Sequence, residues 1–131
     1  MPIKKETVAQ VVAEASQKMS EPNYSATMVG SFVQAQPSIT QYVSAHEEEL
    51  GGAEGVVNVV FHAALIGQMF QRGNGGRIRI VSFDDLDRVA GGDSMELLSA
   101  AQTFVHGFIE ENVADPTARS ILALVALALD R

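Results

Sequence analysis

VVNVVFHAALIGQMF, residues 56–70, and ILALVALAL, residues 121–129, decide the fold. Both are helix-length and apolar almost all the way round. A helix with one dry side needs one apolar stripe, whereas a helix that is apolar on every side must be covered on every side. The pair implies an all-α bundle with a central layer, or a bundle completed by a second chain.

Working outward, the flanking segments repeat at helical spacing. Val8, Val11, Val12, Ala15 and Met19 form one stripe, with Glu6, Gln10, Glu14 and Lys18 facing away. Ser20-Glu21-Pro22 stops that helix and starts a second, striped by Tyr24, Met28, Val29, Phe32 and Val33. Pro37 ends the second helix near Gln36 and opens a third. Ser38 and Gln41 have capping-box spacing there, and Ile39, Tyr42, Val43, His46 and Leu50 face inward. Glu47, Glu48 and Glu49 lie on the other faces as a solvated run, and Gly51-Gly52 closes the helix. The fourth helix, Ala53 to Arg72, has a single narrow polar line at Gly55, Asn58 and His62. Gly73-Asn74-Gly75-Gly76 stops it.

Arg77-Ile78-Arg79-Ile80 alternates with period two and is the one strand-like run in the chain. A lone strand lacks a ladder partner, so residues 78–81 are expected as extended loop or as a minor edge strand paired across a dimer. Ser82 and Asp85 form a capping box for a short helix through Phe83, Leu86, Val89 and Ala90. Asp93 caps a helix read as continuous to Glu110. Leu98, Ala101, Val105 and Phe108 face inward on it, joined by Leu97 and Phe104, and Ser99, Gln102, His106 and Glu110 form its wet line. Asp115-Pro116 opens the last helix, whose least apolar line is Arg119, Ala123, Ala126 and Asp130. The expectation is one all-α domain over 1–131, with about six main helices and one short one. The Gly-rich loop 73–76 is the place to subdivide it, although neither half holds enough residues to bury its apolar surface alone.

Composition narrows the function classes. A chain of 131 residues, 47% apolar, can bury roughly two-thirds of its unfolded surface without staples. The absence of cysteine excludes disulfides, thiolate ligands and thiol nucleophiles. A net charge of −7 argues against a general nucleic-acid surface, which needs clustered Lys and Arg. The charged first residues contain no signal-peptide core, and neither apolar stretch reaches the ~20 residues that span a bilayer. A cytoplasmic protein that binds neither membrane nor nucleic acid is expected.

No catalytic constellation emerges. There is no Gly-x-Ser-x-Gly elbow, and Gly73 to Gly76 lacks the Gly-Lys-Ser/Thr of a phosphate loop. His46-Glu47 begins like a zinc helix, but Leu50 stands where the second histidine belongs. His106 and Glu110 have ligand spacing on a face read as wet, where a solvated pair is the plainer reading. No metal site and no cofactor is assigned. Asn58 and His62 suit a structural role, fixing the register of an apolar packing surface through hydrogen bonds.

The Gly-rich loop is the most asymmetric local feature. Arg72, Arg77, Arg79 and Arg88 place four of nine basic residues in one region of an acidic chain. Arginine beside flexible backbone suits a carboxylate, a phosphate or an acidic partner patch, while pairing with Asp84, Asp85 and Asp87 is the bland alternative. The candidate binding residues are therefore Arg72, Arg77 and Arg79, with Asn58 and His62. Surplus apolar surface without catalytic residues points to a non-enzymatic interaction or regulatory protein acting as a homodimer. The alternative is a small apolar ligand held between helices 53–72 and 116–130. Phe61, Leu65, Met69, Leu124 and Leu127 would line that pocket, anchored by His62 or Asn58. A metalloenzyme using His46 and His62 is the third reading.

Overall fold

The computed structural model describes residues 2–131, which form eight helices. They are α1 (Lys5–Lys18), α2 (Tyr24–Ala35), α3 (Pro37–Ser44), α4 (Ala53–Gly73), α5 (Phe83–Val89), α6 (Ser94–Ala101), α7 (Thr103–Asn112) and α8 (Pro116–Leu129). No strand forms among the described residues.

The two apolar stretches lie where their composition requires. α8 is covered by α4, α5, α6 and α7, and α4 by α1, α2, α3 and α8. From Ile121 to Leu129 only Leu127 is less than buried. Phe70, Ile66, Met69 and Leu122 lose essentially all contact with water. Burial of such side chains stabilises by about 1.5–3 kcal/mol each. Ala123 and Ala126 are also wholly buried, so the small-residue line of α8 receives a close neighbour. The apolar surplus of these two helices is thus used largely within one chain. α4 runs for 21 residues, longer than its apolar stretch, and is long and apolar enough to cross a membrane. Half of its most apolar window is buried inside the fold.

Side-chain caps set the starts of three of these helices, α5, α6 and α8. Ser82 and Asp85 form the expected capping box: Ser82 N–H donates to the Asp85 carboxylate at 2.9 Å, and Asp85 N–H donates to Ser82 Oγ at 3.1 Å. The side chains of Asp93 and Asp115 cap α6 and α8. Two expected caps do not form. α3 has no side-chain cap from Ser38, because Pro37 occupies its first turn and Gln36 precedes it. α2 begins after Asn23, whose φ of 72° makes the turn, and not at Ser20. The third helix also stops earlier than its stripe, at Ser44, and the chain continues in turns to Gly52. A side chain at Gly55 would set its Cβ 1.8 Å from the Leu50 carbonyl oxygen. Glycine there lets this turn close over the start of α4.

The helix read as continuous from Asp93 to Glu110 is two helices, broken at Gln102 (φ −142°, ψ 74°). The break shifts the helical phase, so the residue assigned to a wet line is 1% exposed. Gln102 accepts from Ile3 N–H at 2.8 Å and donates to Asp130 Oδ1 at 2.8 Å. A second buried glutamine, Gln36, sits at the α2–α3 break with φ −131° and ψ 68°.

Candidate functional site

The structure separates the three arginines of the Gly-rich loop. Arg72, at the end of α4, pairs with Glu14 of α1. Arg77 and Arg79 lie beyond the turn made by Gly75 (φ 69°) and Gly76 (φ 91°). There they border a shallow depression with Ile78, Asp130 and Arg131. Arg131 is the member of this group that local spacing did not single out. Arg79 Nη2 is 3.8 Å from Asp85 Oδ1, and Arg77 has no ion pair among the described residues. Asp85 is held below the usual carboxylate value, chiefly by the Ser82 N–H, with smaller help from the Ser82 hydroxyl and Arg79.

The strand-like run is extended chain without a sheet. Its missing ladder partner is the side chain of Gln36. Gln36 Nε2 donates to Arg79 C=O at 2.7 Å, and Gln36 Oε1 accepts from Val81 N–H at 2.9 Å. One buried amide thus does what a neighbouring peptide group would do. Ile78 anchors the segment beside Gly67 of α4 and Phe32 of α2, which a Cβ at Gly67 would crowd at 3.3 Å. Val81 is buried, whereas Ile80 between them is 72% exposed. The expected burial of alternate residues therefore fails at Ile80, whose side chain is left in water.

Asn58 and His62 come together, with the backbone of one holding the ring of the other: His62 Nδ1 is 2.8 Å from Asn58 C=O. A ring nitrogen beside a carbonyl carries the proton, so the neutral imidazole keeps Nε2 as an acceptor. Both residues line a cleft of about 390 Å³, with Glu49 and Leu50 on one side and Asn112 and Asp115 on the other. Asn58 is exposed and His62 half-buried, so neither fixes a buried seam. The apolar lining expected for this pocket lies elsewhere: Leu65, Met69 and Leu124 are core. His46 lines a different cleft, with its Nδ1 2.9 Å from Tyr42 C=O. Among the described residues no group of three or more His, Asp or Glu side chains is placed to hold a metal ion.

A largely apolar groove of about 620 Å³ lies between α1 and α7. Val8, Ala9 and Val12 form one wall, and Phe104, Gly107 and Phe108 the other. Phe104 remains 42% exposed. Both helices set out from one corner, where Ile3 N–H meets the Gln102 side chain. Lys5 therefore marks one end of the groove, and Glu110 and Glu111 the other. An aromatic row, Tyr24, Phe61, His62 and Phe108, with centroid spacings of 5.7–6.3 Å, meets the cleft at His62 and the groove wall at Phe108. The sequence pattern placed Phe104 and Leu97 inward with Phe108 and gave no sign of an open side; Phe108 is buried, but Leu97 is 48% exposed and Phe104, past the break at Gln102, also faces water. No protein-family model, curated protein or solved structure matches this chain.

Proposed function

We propose that this is a non-enzymatic interaction protein that pairs with a second copy of itself through the α1–α7 groove. The observation that carries the reading is the groove's composition. Its walls are apolar, Phe104 stands partly in water, and Ala9, Ala13 and Gly107 leave room for a close-packed helix. Its charges are polarised along its length, with Lys5 opposed to Glu110 and Glu111. A two-fold axis across the middle of such a groove sets each basic end on an acidic end, which is the self-complementarity an isologous contact needs.

Gly107 provides a clean test, because a Cβ there meets nothing within 4 Å. Gly107→Glu leaves the monomer intact but puts a charge in the groove. Sedimentation should show a wild-type dimer at micromolar concentration and a folded monomer for the variant. A wild-type chain that stays monomeric, or a variant that dimerises equally well, removes the proposal.

One observation favours a second reading, a small-ligand site in the Asn58–His62 cleft. That cleft sets the free acceptor nitrogen of His62 among Asn58, Asn112 and Asp115 over an apolar floor of Val59 and Leu122. Amide and imidazole NMR spectra recorded against a library of small amines and alcohols decide it. Absence of shifts at Asn58, His62 and Asn112 ends this reading.

A further inference from the structure

We infer that residues 77–81 form a docking edge for an extended acidic peptide, which adds as a strand beside Ile80. Gln36 binds Arg79 C=O and Val81 N–H, so these two groups point to the same side of the chain. In extended backbone the N–H and C=O of the residue between them then point to the opposite side. Ile80 N–H and C=O have no partner among the described residues. The chain thus offers a donor and an acceptor in strand register on an edge whose far side is held rigid by a buried amide. Ordinary loops lack that rigidity, and a pre-ordered edge lowers the entropy that a peptide must overcome on binding.

The side chains choose the occupant. Ile80 and Phe83 are 72% and 49% exposed, giving apolar contacts at the edge. Arg77, which has no ion pair among the described residues, and Arg79, which is 3.8 Å from the Asp85 carboxylate, border the adjoining depression together with Arg131. The Asp130 side-chain carboxylate on its rim is engaged by Gln102. An incoming strand that alternates acidic and apolar residues satisfies both sets. A second copy does not. Pairing Ile80 of two chains in an antiparallel register puts Arg77 and Arg79 of both on one face, where like charges repel. The edge lies apart from the α1–α7 groove, so it can fail or stand independently of the dimer.

The probe is a short capped peptide of alternating Glu and Val, titrated into the full chain while amide hydrogen exchange is followed. Binding should protect Ile80 N–H and weaken as salt rises. Arg77→Glu with Arg79→Glu should weaken binding by at least about tenfold and transfer the preference to an alternating Lys–Val peptide. Ile80→Pro removes the edge donor while sparing both Gln36 bonds, and should abolish binding without lowering stability. No binding, binding that survives Ile80→Pro, or equal binding of poly-glutamate would each overturn the inference. The last outcome would mean an anion patch that reads charge alone. Loss of self-association in Arg77→Glu would also overturn it, since the edge would then belong to a second copy.

Discussion

The two buried glutamines mark joints of nearly the same shape. At Gln36 and at Gln102 one helix ends, a single residue with φ near −135° and ψ near 70° intervenes, and the next helix begins. Each side chain is 1% exposed, and each accepts from one distant backbone N–H, Val81 or Ile3. Each also donates to a second distant oxygen, Arg79 C=O or Asp130 Oδ1. The joints differ in the next residue, which is Pro37 at one and Thr103 at the other. The first is therefore visible in the sequence and the second is not. Their likeness shows that proline is not what bends the chain. The bend persists without it, because a buried amide is worth more to the fold at that corner than one more turn of helix.

The largest effects should come from removing the amides. Gln36→Leu and Gln102→Leu keep the volume roughly but leave a buried backbone N–H unpaired. Each should lower stability by about 2–4 kcal/mol, from one unsatisfied donor at about 1–3 kcal/mol and one further lost bond. Urea unfolding measures this, and hydrogen exchange separates the two. Gln36→Leu should expose residues 77–82, and Gln102→Leu the first residues before α1. If Gln102→Leu is as stable as the wild type, the parallel between the joints fails.

A smaller effect should follow from exchanging the residues that make the joints look different. Thr103 occupies the first position of α7, as Pro37 does in α3, and its N–H donates to no backbone carbonyl. The backbone of Gln102 matches that of Gln36, which already precedes a proline. Thr103→Pro should change stability by no more than about 1 kcal/mol. Ala100→Pro, inside α6, should cost about 3 kcal/mol or more. Equal losses for the two variants would mean that residues 94–112 form the single helix their periodicity suggests.

What was legible follows from the same physics. The apolar runs at residues 56–70 and 121–129 announce central helices because burial on all sides leaves no polar face to misread. Capping pairs such as Ser82 and Asp85 are readable because both partners lie within one turn. Arg77 and Arg79 stand out against an acidic chain, and they do share one depression. Arg72 had the same local signal, yet its partner, Glu14, lies on α1 and only tertiary structure supplies it. Gln36 and Gln102 were invisible as clamps, since their partners are 45 and 99 residues away. The open side of Ile80 was missed for the same reason: it exists only because Gln36 occupies the other side.

The smallest effect should separate the joints by pH. Burial raises the Asp130 carboxyl above its ordinary value, and the hydrogen bond from Gln102 opposes that rise. A raised carboxyl contributes stability that is fully present below the unfolded pKa and is lost as pH rises through the folded one. Removing the opposing bond in Gln102→Leu raises that folded pKa further. The variant should therefore lose more stability than the wild type as pH climbs from about 3 to about 7, and the gap between them should widen. Gln36 bonds only backbone, and Asp85 nearby is held down mainly by its own cap at Ser82. The gap for Gln36→Leu should stay nearly level over the same range. Urea midpoints for the three proteins at both ends of the range test this. A gap for Gln102→Leu that narrows with rising pH would show that the Gln102–Asp130 bond does not favour the ionised carboxylate.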